Sequence, residues 1–240
     1  MSSPLVSIIV PTYNRPEFLL SCLRSLREQR AHDFEVIVVN DGGIGVEEIV
    51  KTYGKPNATQ YINHIKNKGL GAARNTGIKI SRGKYILCLD DDDTFYPCHI
   101  FDLAIFLHNT QGARVAFTDS HRVHQKTSLG SRYYEAKREP ICPVDFTPQK
   151  MFRGNFIPVC CVMFEKSILD EVGMFDEDLE SHEDWDLWVR MAAKKIHFHH
   201  IKKITCEISW RGDTMTANAS TMSSGRNKVF LRAKQYIDKI

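Results

Sequence analysis

No run approaching the ~18 apolar residues of a membrane-spanning helix occurs in the 240 residues. The amino-terminal segment also lacks the charged start and apolar core of a signal peptide. These absences lead to the expectation of a soluble, cytoplasmic protein, with attachment at the inner face of a membrane left open. The seven cysteines, Cys22, Cys88, Cys98, Cys142, Cys160, Cys161 and Cys206, include no C-x-x-C pair. An odd set without that spacing fits free thiols in a reducing compartment better than a disulfide framework. Blocks of Lys and Arg are missing too, and the net charge of +3 is small and dispersed, which argues against nucleic acid as a partner. There is no internal repeat and no low-complexity tract. With 42% apolar and 25% charged residues, the chain has the composition of a folded globular protein and a length suited to one α/β domain.

The first half alternates short apolar runs with amphipathic stretches, the pattern of βαβ units around a mainly parallel sheet. Strands are expected over 6–10, 36–39, 59–65, 85–89 and 114–117. Helices are expected over 16–28, 46–53, 71–80 and 97–109, the first opened by Pro16 and buried along Leu19, Leu20, Leu23 and Leu26. Residues 121 to about 150 read as an irregular polar insertion on the substrate side. Beyond it lie an expected strand at 159–164, helices at 166–172 and 184–194, a short strand at 196–201 and a terminal helix at 225–238.

The strand at 85–89 runs directly into Asp90, Asp91, Asp92 and Asp93. Ligands in parallel sheets gather outside the carboxyl ends of the strands. Adjacent carboxylates repel one another unless a positive charge offsets them, and oxygen ligands on a loop suit Mg²⁺ or Mn²⁺. A merely solvated acidic loop is the competing reading. The segment 69–74 has two glycines of a dinucleotide fingerprint but lacks the third, so an NAD site is rejected.

Six segments together resemble one known family: VSIIVPTYNR at 6–15, EVIVVNDG at 35–42, NKGLGAARNTG at 67–77, LDDDD at 89–93 with Pro97, VGMFD at 172–176 and EDWDLWVR at 183–190. Their order and spread over residues 5–211 are similar to family 2 glycosyltransferases. The resemblance implies an α/β fold of GT-A type, a mainly parallel central sheet with flanking helices in a single domain. Its nucleotide-binding half would cover about residues 1–117, and its acceptor-binding half, with the catalytic base, about 118–240.

The resemblance also implies roles. Pro11, Thr12, Tyr13 and Asn14 would wall the nucleotide pocket, with Tyr13 stacking on the base. Helix capping is an alternative for Asn14. Asp41 would accept from a base imide, favouring uracil or thymine, although Asn40 stands where the family more often has Asp. Asn67 would line the nucleotide-sugar site, and Arg74 would reach the nucleotide or its phosphates. Asp90, with Asp91 at the variable position of the motif, would take the ribose or donor sugar, and Asp92 the metal, Mn²⁺ or Mg²⁺, with Asp93 as second ligand or support. Asp184 would be the general base, although two acids at a helix start are also good macrodipole chemistry. Glu183 and Asp186 stand next in line for that role. The Gln-x-x-Arg-Trp signature of processive members is absent, the order here being Trp210-Arg211. The expected activity is thus inverting, nonprocessive transfer from a nucleoside-diphosphate sugar, UDP-linked by preference, to a glycan or lipid-linked acceptor in surface polysaccharide or glycoconjugate synthesis. A noncatalytic nucleotide-sugar-binding relative and a sugar-nucleotide pyrophosphorylase are the alternatives.

Overall fold

The computed structural model describes residues 3–127, 133–212 and 218–237. Four strands form the first part of the sheet: β1 (Val6–Thr12), β2 (Phe34–Asn40), β3 (Thr59–Asn63) and β4 (Tyr85–Cys88). They pair in the order β3-β2-β1-β4, all parallel. Every residue of β1, β2 and β4 is buried, which is why these strands read as continuous Val/Ile runs rather than alternating ones. Helices α1 (Pro16–Arg27), α2 (Glu47–Tyr53) and α3 (Leu70–Ile80) make the crossovers. On α1 the buried stripe is Leu19, Cys22, Leu23 and Leu26, spaced as one helix face requires.

The second part of the chain extends the same sheet. After β5 (Thr94–Phe95) and α4 (His99–Asn109) come β6 (Val115–Thr127), β7 (Tyr133–Ile141) and α5 (Pro148–Arg153). Then follow β8 (Val162–Glu165), α6 (Ile168–Val172), α7 (Glu183–Ala193), β9 (Phe198–Trp210) and α8 (Ala219–Ile237). The path continues β4-β8-β6-β9-β5, with β7 on β6. Strands β3, β2, β1, β4, β6 and β9 share one direction, and β8, β7 and β5 oppose it. The expected mainly parallel α/β architecture is therefore present. Among the described residues no helix is long and apolar enough to cross a membrane.

Four sequence expectations need correction. The stretch after residue 121 is not an irregular insertion: β6 continues to Thr127 and pairs antiparallel with β7, with a register shift between His124 and Gln125. Its turn, residues 128–132, lies outside the described residues. Polar side chains occupy both faces because this ribbon projects past the sheet, so no apolar alternation marks it. The last strand runs thirteen residues instead of six, parallel to β6 with register shifts at Thr118/Asp119 and Asp119/Ser120. At 159–164 only Val162 onward is strand, because Val159–Cys161 forms a 3₁₀ turn. The terminal helix starts at Ala219, earlier than expected, and residue 238, its expected end, is outside the described set.

The long β9 is what brings residues 209–211 to the end of β4. β5, directly after the four acids, pairs with β9 at Thr94↔Glu207 and Phe95↔Cys206. Helix α3 lies close on β1 at Gly77, where an added Cβ would sit 2.6 Å from Ile9 Cγ2. Gly77→Val should therefore force the helix off the sheet and lower the unfolding free energy by about 1–3 kcal/mol, the usual cost of overpacking. Urea denaturation checks it, as a lower midpoint at unchanged slope.

Candidate active site

The four acids leave β4 in a tight turn closed by the Asp93 N–H donating to the Asp90 carbonyl at 3.0 Å. The turn gives each carboxylate a different environment. Asp90 Oδ1 is 2.6 Å from Arg74 Nη2 and its side chain is 26% exposed. Asp91 is fully buried, with Oδ2 accepting from Thr12 Oγ1 at 2.7 Å. Its Oδ1 lies 2.8 Å from Arg15 Nη2 but completes no well-aligned hydrogen bond. Asp92 Oδ2 accepts from Arg15 Nη1 at 2.9 Å and Arg211 Nη2 at 2.8 Å. Asp93 is buried, its Oδ1 accepting from the Ser209 N–H at 2.9 Å, and Ser209 Oγ donates to the Asp92 carbonyl at 2.5 Å.

Burial pushes Asp91 up to about 7 against the pull of Arg15, with neighbouring carboxylates adding to the rise. Asp93 is raised well above the usual carboxylate range by burial, then by Asp92 and Asp90. The turn thus carries its exposed negative charge on Asp90 and Asp92, and Asp91 and Asp93 serve as internal fasteners. Asp93, expected as a possible second metal ligand, is spent on β9.

The residues present fit a hard divalent cation. The donor set at the turn is all oxygen, and Asp92 concentrates enough charge to draw two guanidinium groups onto one oxygen. Asp90 and Asp92 are the acids in reach of solvent.

Arg74 departs most from expectation. Its side chain is 1% exposed and donates to Asp90 through Nη2 and to Glu183, on α7, through Nη1. Those two carboxylates, rather than donor phosphates, take the fork. Their charges hold its pKa above the ordinary arginine value despite burial.

Glu183 opens α7 and Asp184 follows. The α7 helix is anchored through indoles: Trp185 Nε1 donates to the Met151 carbonyl at 2.7 Å and Trp188 Nε1 to the Ile157 carbonyl at 3.2 Å. This fixes the segment after α5, from which Asn155 Nδ2 donates to Asp184 Oδ2 at 2.9 Å. Asp184 Oδ1 accepts from the Trp185 N–H at 2.7 Å. Loss of hydration, reinforced by Glu183, raises Asp184 to about 7, with Arg74, Trp185 N–H and Asn155 opposing. The side chain remains partly exposed.

Where β1 ends, Pro11 and Thr12 are buried, whereas Tyr13 is 44% exposed. Asn14 adopts φ 56° and its Oδ1 accepts from the Ile44 N–H at 2.8 Å. It makes no cap to α1, whose N-cap is Arg15. Asn40 explains the departure from Asp at its position: its Nδ2 donates to the Gly43 and Ile44 carbonyls, which a carboxylate could not do. Asp41 is already loaded. It accepts from the N–H groups of Lys68 and Gly69 and pairs with His64 Nδ1 at 2.6 Å. Asn67 is exposed, its Oδ1 accepting from Gly69 N–H at 3.2 Å. Asp41 therefore fastens the loop entering α3, where Gly69 takes φ 95°.

Sequence reading missed Arg15 and His64, and raised Asn155 only as part of the segment 154–158, which reads equally as an acceptor border or a plain loop. Arg15 could have been found by asking what offsets four adjacent carboxylates. His64 carries no sequence signal, since it acts through a fold contact.

With this geometry described, comparison with known proteins is decisive about family. The model of Glycosyl transferase family 2 matches residues 7–173, and the chain belongs to that family. Uncharacterized glycosyltransferase YwdF of Bacillus subtilis (strain 168) is 31% identical over 241 residues, covering 98% of this chain and 82% of YwdF. S. aureus TarS 1-349 in complex with UDP-GlcNAc superposes at TM-score 0.72 and 22% identity, over 89% of this chain and 61% of that one. Mannosyltransferase PcManGT from Pyrobaculum calidifontis, in complex with GDP-Man and Mn²⁺, gives TM-score 0.72 at 16% identity, over 98% of this chain and 65% of that one. The fold is GT-A type, and the chain spans less than two thirds of these two solved chains.

Removing the Arg74 fork tests how far the site depends on it. Arg74→Met should cost about 3–5 kcal/mol, because Glu183 is left as an uncompensated buried charge. Chemical denaturation monitored by tryptophan fluorescence measures it, and Glu183→Gln in the same background should recover part of the loss.

Proposed function

We propose that the chain transfers a sugar from a nucleoside-diphosphate sugar, UDP-linked in the first reading, to a hydroxyl of a glycan or lipid-linked acceptor with inversion at the anomeric carbon. The observation that carries this is the continuous link from Asp184 and Glu183 on α7 through Arg74 to Asp90 in the acid turn. It holds an acceptor-side base and a donor-side acid in one rigid frame. In this reading Pro11 to Asn14 and Asn67 border the nucleotide, Asp90 faces the ribose or donor sugar, and Asp92 holds Mn²⁺ or Mg²⁺. Bound there, such a cation offsets the charge gathering on the leaving diphosphate. Synthesis of surface polysaccharide or another glycoconjugate is the setting that a single-sugar transferase of this kind fits.

Asp184 takes the proton from the acceptor hydroxyl as its oxygen bonds the anomeric carbon and the bond to the diphosphate breaks. The Asn155 amide holds one carboxylate oxygen and the Trp185 N–H the other, so the remaining lone pairs point from a fixed position. A base whose pKa lies near neutrality couples sufficient ionisation to useful basicity. A binding-only relative would have no need of a carboxylate tuned this way.

The base assignment predicts that kcat/KM rises with pH through about 7, following Asp184 with Glu183, Arg74 and Asn155 around it. Asp184→Asn should lower transfer about 10²- to 10⁴-fold and leave donor affinity near wild type. Stability runs the other way. A carboxyl whose folded pKa exceeds its unfolded value contributes fully below about pH 4, and that contribution is lost as pH rises through 7. Denaturation midpoints across this range should therefore fall less steeply in Asp184→Asn. A variant transferring at the wild-type rate would reduce Asp184 to a helix-start acid.

With Asp41 taken up by His64 and two backbone N–H groups, the uridine reading rests on TarS 1-349 binding UDP-GlcNAc, whereas PcManGT takes GDP-Man. Calorimetric titration with Mn²⁺ decides between them: UDP should bind more tightly than GDP, and the reverse would reassign the base. Asp92→Ala should remove the Mn²⁺-dependent part of that affinity.

A further inference from the structure

Asp92 differs from its three neighbours in what holds it. Asp90 is held by Arg74, Asp91 mainly by Thr12, and Asp93 by the backbone at Ser209. Asp92 Oδ2 receives two guanidinium groups from opposite ends of the chain, Arg15 at the start of α1 and Arg211 just beyond β9. A carboxylate oxygen offers two lone pairs, and both are taken.

The two arginines are not equally fixed. The Arg211 side chain is 2% exposed and its guanidinium lies 3.9 Å over the Phe18 ring, with Tyr133 on the same cation at 5.4 Å. The Arg15 side chain is 38% exposed, and its second nitrogen approaches Asp91 Oδ1 without a well-aligned bond. A cation that ligates Asp92 Oδ2 must displace one of them, and Arg15 is the one with solvent to move into. Displaced, it keeps only Asp91 Oδ1, 2.8 Å from Nη2, and its freed nitrogens next to the oxygen the cation has taken suit phosphate oxygens.

We propose that Arg15 is the resident counter-ion of Asp92, exchanged during donor loading: it holds the carboxylate in the metal-free protein, yields Oδ2 to the divalent cation, and then serves the donor diphosphate. This rests on the metal-dependent transfer proposed above. It makes metal and nucleotide bind cooperatively. The cation alone competes with Arg15, whereas the cation with a diphosphate gives the displaced arginine a new partner, and the coupling is equal in both directions. An arginine that only shaped the acid turn would act with one sign in both situations; an exchanged one acts with opposite signs.

Binding alone provides the test, by titrating Mn²⁺ with electron paramagnetic resonance of the free ion, and UDP by calorimetry. In Arg15→Gln, Mn²⁺ alone should bind roughly three- to tenfold more tightly, as expected for removing a competing, partly exposed charge. UDP in the presence of Mn²⁺ should bind about tenfold more weakly. Arg15→Lys, which keeps the charge without the fork, should recover part of the UDP affinity. An Arg15→Gln protein that binds Mn²⁺ alone more weakly or unchanged, or that keeps wild-type UDP affinity with Mn²⁺, overturns the exchange and leaves the transferase reading intact. Wild-type protein whose UDP affinity ignores Mn²⁺ overturns both.

Discussion

A single buried guanidinium ties the acid turn to the start of α7. Arg74 leaves α3 in the amino-terminal half and meets Asp90 at the end of β4 and Glu183 at the start of α7. A charge withdrawn this far from water is tolerable only with partners in place. The acid turn and α7 are therefore held together by the same requirement. Neither Asp90 nor Glu183 can move far without stranding Arg74, and with it fall the position of Asp184 and the mouth of the site.

The acid turn follows from a second constraint, that four adjacent carboxylates cannot all be exposed, ionised and unpaired. The fold divides them. Thr12 and the Ser209 backbone accommodate Asp91 and Asp93 inside the protein, where burial pushes both toward the protonated form. Asp90 and Asp92 keep their outward faces with arginines attached. The division depends on β9 being long enough to place Ser209 and Arg211 beside the turn, so a strand remote in sequence completes it.

Much of this was legible in the sequence. Buried parallel strands are continuous apolar runs, so β1, β2 and β4 stood out, as did the acids at the end of β4 and the Glu183-Asp184 start of α7. The β6–β7 ribbon was not legible because it is polar on both faces, and the outer half of β9, although Ile204, Cys206, Ile208 and Trp210 alternate with Thr205, Glu207 and Ser209, was hidden behind the charged pair Lys202-Lys203. The site was legible in its membership more than in its wiring. Asp41 and Arg74 were expected to face the donor, yet one binds His64 and two backbone N–H groups and the other binds two carboxylates. Each depends on a partner remote in sequence, and spacing along the chain carries no trace of such pairs. Asn40 is instructive in the opposite sense: a residue that looked like a loss relative to family habit is the amide its turn requires.

The indole tethers of α7 bear on how such a protein can diversify. Trp185 and Trp188 donate to main-chain oxygens of Met151 and Ile157, not to side chains. The segment from Met151 to Ile157 is thus tied down by atoms that every amino acid possesses. Outward side chains along it can be exchanged during evolution, or in a designed library, without untying the helix that carries Asp184. The helix is anchored to backbone, and the outward face of the segment beside it is left to replaceable side chains.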